Sequence, residues 1–303
     1  MKDKATCETT LLTVLKRFEP FFGNWVLKEC LGTGSLSCVF KIAQQAGGRD
    51  LFSALKVIPL ENANSGLEMG KTLGKRIMDS VTEILHLSEL ASHPNLVNIH
   101  NFETYRYDQD GKESALLCIM MEYVPHCLKD ILEKSTLPID RAVRVLEQCC
   151  RGLEFIHVHK VIHRDIKPGN IFVTGQGYIK IGDFGIARSI AKPPKNKEYA
   201  GTFRYIAPEV LNPSHGPALT PAVDIYSLAL VGYFMLSGHL PFEAPDRSRK
   251  QALALRLRGE PIPPLPGVPG PLMRVLLTAL AANPAQRIQT AQAFREALEQ
   301  QRK

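Results

Sequence analysis

No CxxC pair occurs among the seven cysteines, Cys7, Cys30, Cys38, Cys118, Cys127, Cys149 and Cys150. The odd number and the missing spacing argue against a disulfide framework and against a zinc site. Reduced thiols in a cytoplasm fit best. No apolar run is long enough to span a bilayer. The longest, LALVGYFMLSG at 228–238, has the length of a buried helix. The N-terminus, MKDKATCETTLLTVLKRF, lacks the apolar centre of a signal peptide. Basic residues exceed acidic ones by 37 to 30, a net charge of +7, but they are scattered. No basic stripe interleaved with aromatics marks a nucleic-acid platform, and there are no internal repeats. What remains is an ordinary globular composition, 45% apolar and 22% charged. A chain of 303 residues suits one large domain or two lobes with a sizeable core.

The patterning changes along the chain. Residues 9–18 read as a short helix outside the main fold. From Trp25 the pattern turns to strands: WVLKECLGTGSLSCVFKIAQQ alternates around a glycine-rich turn, and AGGRD connects it to LFSALKVIPL as a hairpin. Residues 66–91 have helical spacing at Ile77, Val81 and Ile84 or Leu85. HPNLVNIHNFETYRY and SALLCIMMEYV read as two more strands, joined by the turn residues DQDGK. After Val124 the character is helical. LPIDRAVRVLEQCCRGLEFIH has Pro138 near its start and an apolar face at Ala142, Val145, Leu146, Cys149, Leu153 and Ile156. Two short strands flank TGQGY. EPIPPLPGVPGP is a proline-rich connection, either a loop packed on its own domain or a PxxP ligand for a partner. The reading is a small β-rich lobe followed by a larger helical one, with a cleft between them as the natural ligand site.

VIHRDIKPGNIFV at 161–173 carries the most specific chemistry, since HRDxKPxN fixes six positions. The carboxylate of Asp165 can accept the proton of a hydroxyl nucleophile. Lys167, two residues on, can face the same site and neutralise a transferring phosphoryl group. Asn170 supplies a hard oxygen suited to magnesium. IKIGDFGIAR follows, with Asp183 thirteen residues after Asn170 and placed after a strand, where it can hold magnesium on phosphates. DFG alone is a weak string; at this distance it is a strong one. In LGTGSLSCV at 31–39, Gly32 and Gly34 let backbone N–H groups approach phosphate oxygens. Ser37 stands where a third glycine would complete the pattern, and a plain hairpin is the alternative reading. SALKVI places Lys56 in an apolar strand, where a buried cation needs an anionic partner.

Together these motifs resemble the eukaryotic-type protein kinases, over about residues 25–300. The resemblance implies an α+β, bilobal fold: an extension at 1–24, then a kinase domain at 25–301 with lobes of about 25–123 and 124–301. It implies ATP and Mg2+ as cofactors and protein serine or threonine hydroxyls as acceptors, in the cytoplasm, with no nucleic acid and no membrane span. Lys56 would bind the phosphates and pair with Glu83 of the N-lobe helix, Glu89 being the competitor. The interval from Lys56 to Glu83, 27 positions, is longer than is usual in the family. Met121 resembles the gatekeeper, and the backbones of Glu122 and Val124 would meet adenine. Leu31, Gly32, Thr33, Gly34 and Ser35 would cover the nucleotide. Val39, Ala54 and Phe172 would sandwich its ring or simply be apolar core. Cys127 would sit at the ribose rim or be an inert thiol. Asn170 and Asp183 would hold magnesium. Glu209 of APEV would pair with Arg287, and Asp224 would hold the catalytic-loop backbone.

The style of DFGIAR, GTFRYIAPE and the PPLPG loop is most like bacterial serine/threonine kinases. By the same resemblance Thr202 would bond Asp165 and Lys167. The usual phosphosite lies four residues earlier, and there stands Glu198. Arg164 and Arg188 would form the basic pocket that a phosphate normally fills. Glu198 would then either mimic that phosphate or be a solvated loop glutamate, with Ser189 and Tyr199 as other phosphosites. An inactive nucleotide-binding scaffold and a small-molecule kinase are the competing functions. The intact Lys56, Asp165, Asn170 and Asp183 argue against the first, and the paired Glu209 and Arg287 against the second.

Overall fold

The computed structural model describes residues 11–34, 37–60, 93–109, 112–183, 202–211 and 220–302. These fall into two compact units: the first within 1–92 and 97–123, the second within 93–96, 124–185 and 193–303.

The first unit is built on a five-stranded antiparallel sheet in the order β1-β2-β3-β5-β4. Its strands are Val26–Thr33 (β1), Cys38–Ala46 (β2), Arg49–Leu60 (β3), Ile99–Gln109 (β4) and Lys112–Glu122 (β5). The β2–β3 turn is Gly47-Gly48, with φ of +57° and +75°. Two successive left-handed residues suit the twist of a two-residue hairpin, and glycine takes that backbone without strain. Strand alternation then sorts the side chains. Phe40 and Ile42 of β2, Leu55 and Val57 of β3, and Leu116 and Cys118 of β5 are fully buried in one cluster. Each large apolar side chain so buried contributes about 1.5–3 kcal/mol.

That same cluster contains Leu11, Val14, Leu15 and Phe21. Residues 11–15 are helical, as their spacing suggests, and run into a 3-10 turn at Lys16–Phe18. They do not stand outside the main fold: Leu15 and Phe21 are 0% exposed. Tyr105 of β4 meets both Phe18 and Phe21 ring to ring, at 4.9 and 5.6 Å. The sheet has an apolar face with too few strand residues to cover it, and this segment closes it. The helix expected at 66–91 lies outside the described residues.

The second unit is mainly helical. Its helices are Leu128–Leu132 (α1), Ile139–Val158 (α2), Pro208–Leu211 (α3), Ala222–Ser237 (α4), Arg249–Leu257 (α5), Gly270–Ala279 (α6) and Ala291–Glu299 (α7). In α2, Pro138 forms the N-cap and the whole predicted apolar face is buried. Gly152 lets this helix press on the turn after His93: a Cβ there would lie 2.8 Å from the Asn95 carbonyl. Helix α4 is buried on nearly all sides and ends at Gly238, whose φ is +76°. A small sheet joins His126–Cys127 (β6), Ile171–Val173 (β7) and Ile179–Ile181 (β8). The proline-rich connection packs on its own domain. The Tyr233 hydroxyl donates to the Pro263 carbonyl at 3.2 Å, and Leu265 is buried.

Candidate active site

Helix α4 carries one charged residue, Asp224, and it is 0% exposed. A buried carboxylate must be met by donors. Here the amides of His163 and Arg164 donate to its two oxygens, each at 2.8 Å, and His157 Nε2 lies 2.9 Å away. These bonds hold Arg164 at a φ of +64°, a left-handed conformation that a non-glycine residue adopts only when its surroundings compel it. The chain is thereby turned so that Asp165 follows.

His163 extends the arrangement. Its Nδ1 accepts the Asp165 amide at 3.3 Å, so its Nε2 carries the proton and donates to the Gly182 carbonyl at 3.1 Å. The Gly182 amide in turn donates to the Asn170 carbonyl at 3.0 Å. Asn95, 5% exposed, anchors β8 from the other side. It donates through Nδ2 to the Ile179 carbonyl at 2.8 Å and accepts the Ile181 amide at 2.9 Å. Asp183 leaves that strand at a φ of +60°. Thus the loop with Asp165 and the strand end with Asp183 are tied by two bonds through Gly182.

Within the loop, Lys167 Nζ lies 2.9 Å from Asp165 Oδ2. Asn170 Nδ2 donates to the Asp165 carbonyl at 2.8 Å and to Oδ2 at 3.1 Å. With its amide nitrogen so engaged, Asn170 turns its amide oxygen elsewhere, as a hard donor. Further along the chain, Arg287 is fully buried and grips both Glu209 oxygens at 2.7 and 3.1 Å. It also donates to the carbonyls of Ala222 and Ala281. This pins the start of α3 to α4 in the pairing that the sequence suggested.

The nucleotide candidates divide between the two units. In the first, register places Val39, Lys56 and Ile119 in one row and Ala54 and Met121 in the next. Val39, Ala54, Lys56 and Met121 therefore share a sheet face, opposite the apolar cluster. Lys56 is 3% exposed. Gly32 pairs with Val39, and the Gly34 amide donates to the Ser37 carbonyl at 2.7 Å, closing the glycine-rich turn. Leu31, beside Thr33 on β1, is exposed. The Glu122 amide donates to the Asn98 carbonyl at 2.8 Å, so its backbone can offer a ligand only its carbonyl. In the second unit Val124 is buried, and Cys127 pairs in register with Phe172. The Cys127 thiol donates to Asp130 at 3.2 Å, and burial pushes its pKa up. Ser35, Glu83, Arg188 and Glu198 lie outside the described residues, as does the side chain of Thr202, whose backbone opens the 3-10 turn Thr202–Tyr205.

Sequence reasoning missed His157, His163 and Asn95. Each sits in a stretch singled out for a neighbour, and only the fold shows which backbone it serves.

A profile of the protein kinase domain matches residues 25–298. The serine/threonine-protein kinase PknA of Mycobacterium tuberculosis is 30% identical over 280 residues, which is 91% of this chain and 61% of that one. The drp72 serine/threonine-protein kinase of Corynebacterium efficiens is 33% identical over 281 residues, 90% of this chain and 50% of that one. PknB of Mycobacterium leprae is 35% identical over 217 residues, 67% of this chain and 33% of that one. The chain thus spans about three-fifths or less of the length of these relatives. The loop of Asp165, the strand-end aspartate, the buried Arg287–Glu209 pair and the matched length agree: the chain belongs to the protein kinase family, with bacterial serine/threonine kinases among its relatives.

Proposed function

We propose that the protein transfers the γ-phosphoryl group of ATP to serine or threonine hydroxyls of other proteins. The observation that carries this reading is the cluster of Asp165, Lys167 and Asn170, held to Asp183 through Gly182 and to α4 through Asp224. Asp165 accepts the proton of the acceptor hydroxyl as its oxygen attacks the γ-phosphorus. The bond from that phosphorus to the β–γ bridging oxygen breaks, and ADP leaves. Lys167 neutralises charge on the transferred group. Lys56 holds the α and β phosphates, with Glu83 as its partner. Leu31, Val39, Ala54, Met121, Val124 and Phe172 enclose the base.

The donor set fits magnesium. Asn170 and Asp183 offer hard oxygens, and among the described residues no group of three or more His, Cys, Asp or Glu is placed to hold a metal ion. An ion with so few protein ligands completes its shell with phosphate oxygens and water, the manner of magnesium at nucleotides. Bound there, it would neutralise phosphate charge.

We place the activity in the cytoplasm, where ATP and reduced thiols coexist; Cys118, Cys149 and Cys150 are buried free thiols. Among the described residues no helix is long and apolar enough to cross a membrane. Glu198 supplies, in this reading, the negative charge that a phosphorylated residue would otherwise bring to Arg164 and Arg188. Incubation with Mg·ATP and a basic acceptor protein, followed by mass spectrometry, tests the whole proposal. The parent phosphorylates serine or threonine, and Asp165→Asn binds ATP but loses phosphotransfer by a factor of about 10^2–10^4. Undiminished transfer by the Asn variant overturns the role of Asp165. Equal activity of Glu198→Ala and the parent removes the role of Glu198.

A further inference from the structure

Arg204 lies in the turn Thr202–Tyr205, just before the Ala207-Pro208-Glu209 anchor. Its Nε and Nη2 grip both oxygens of Glu243 at 2.7–3.1 Å. The remaining nitrogen, Nη1, is engaged by none of these bonds, and the side chain is 25% exposed. Arg249 also stands close enough for its charge to act on Glu243. Arg249 and Lys250 open helix α5 behind the Ser248 cap, and Arg247 precedes them; all three are exposed. Neither Arg249 nor Lys250 has an ion-pair partner among the described residues. Against Arg204, Arg247, Arg249 and Lys250 stand Glu243 and the exposed Asp246. Four cations and two carboxylates leave a net charge of +2 on this face.

The carboxylates near the anchor have little to offer a cation from outside. Glu243 accepts the Leu240 amide besides the Arg204 guanidinium. Glu209 is gripped by the buried Arg287, and Asp224 is 0% exposed. The distance to Asp165 follows from helix α4, which holds the Asp165 loop through Asp224. Tyr205 packs edge-on against Phe234 of the same helix, with ring centroids 6.5 Å apart. Phe234 stands ten positions beyond Asp224, which is about 15 Å at a rise of about 1.5 Å per residue. An extended peptide covers that span in about four or five residues.

We propose that the face of Arg204, Arg249 and Lys250 selects acceptor proteins with acidic residues about four to six positions from the phosphorylated hydroxyl. This rests on the phosphotransfer proposed above and names the substrate class of that site. Carboxylates of the acceptor meet Arg204 Nη1 and the exposed cations of α5, whereas a basic segment is repelled there.

The test measures kcat/KM of the full chain with Mg·ATP and synthetic peptides that carry one threonine in a neutral Gln/Ala sequence. Three aspartates, or three lysines, replace the neutral residues four to six positions before the threonine in one pair of peptides and after it in another. The better aspartate peptide is expected to exceed the neutral one about tenfold, the scale of two or three exposed ion pairs acting together. The lysine peptides fall below the neutral one. Salt screens such pairs, so the advantage shrinks between 50 and 500 mM NaCl. Arg249→Glu combined with Lys250→Glu places acids in the first turn of a helix, where they are favoured. This double variant should bring the ratio of aspartate to neutral peptide close to one. Aspartate peptides no better than the neutral one overturn the proposal and leave phosphotransfer standing, as does an unchanged ratio in the double variant. Absence of transfer to every peptide and to the acceptor protein overturns both readings.

Discussion

Asp224 accepts the backbone amide of Arg164 at 2.8 Å from sixty positions further along the sequence. The bond holds a non-glycine residue at a φ of +64°, and that backbone turn presents Asp165 to its neighbours Lys167 and Asn170. A carboxylate deep in an apolar helix thus acts as a positioning group for a loop that it never joins covalently.

Asp224→Asn keeps the shape but offers one acceptor oxygen in place of two, and turns an NH2 toward a backbone donor. One buried amide loses its partner. We expect a loss of about 2–4 kcal/mol in the unfolding of the helical unit, with a fall in phosphotransfer as the Arg164 turn relaxes. Urea titration followed by circular dichroism measures the first. A variant with the parent's midpoint would show that the two amide bonds contribute little.

Glu209→Ala strands a fully buried guanidinium, since Arg287 is 0% exposed at its side chain. Removing one partner of a buried pair costs about 3–5 kcal/mol. Arg287→Lys should be nearly as damaging, because an ammonium cannot reach both Glu209 oxygens and the Ala222 and Ala281 carbonyls together. Thermal unfolding of the two variants checks this, and a conservative outcome for Arg287→Lys would refute the geometric argument.

Glu243 gives a pH dependence. Partial burial would raise its pKa, but the Leu240 amide and the Arg204 guanidinium outweigh this and hold it below the usual carboxylate range. A carboxyl with a lowered folded-state pKa contributes stability that is whole above its unfolded pKa. That contribution fades as pH falls through the folded value. Glu243→Gln should therefore be destabilised at neutral pH and lose less than the parent on acidification. Unfolding midpoints between pH 7 and pH 3 report it; parallel curves for parent and variant would contradict it.

Cys127 should alkylate slowly at pH 7, because burial raises its pKa and the thiol donates to Asp130. The rate should climb about tenfold per pH unit below that pKa, with the thiolate fraction. Mass spectrometry of the iodoacetamide-labelled peptide follows it. ATP should slow the labelling further if Cys127 lies at the ribose rim, and labelling indifferent to ATP removes that placement.

The local motifs were legible because their chemistry sits within a few residues. HRDIKPGN carries Asp165, Lys167 and Asn170 in one loop, and alternation around Gly47-Gly48 announces β2 and β3. The period of α2 named its buried face correctly for the same reason: helical spacing alone decides which side chains share a side. Local pattern could not show what lies across the fold from a residue. The 9–18 segment read as separate because it precedes the first strand motif and its spacing names no partner; only the sheet face it packs on explains why Leu11, Val14 and Leu15 are buried. His163 looked like part of a string, and its role as a link to Gly182 needs β8 beside the loop of Asp165.

The sequence by itself determined the family signature, a carboxylate, an ammonium and an amide brought within one short loop by Asp165, Lys167 and Asn170. Among the described residues it determined the strands of the five-stranded sheet and the helix Ile139–Val158 too, through periods that depend on neighbours along the chain. Tertiary structure decided which buried charges are met. Asp224 finds three donors and Arg287 finds Glu209. Burial removes water as a partner, and only long-range packing sets what replaces it.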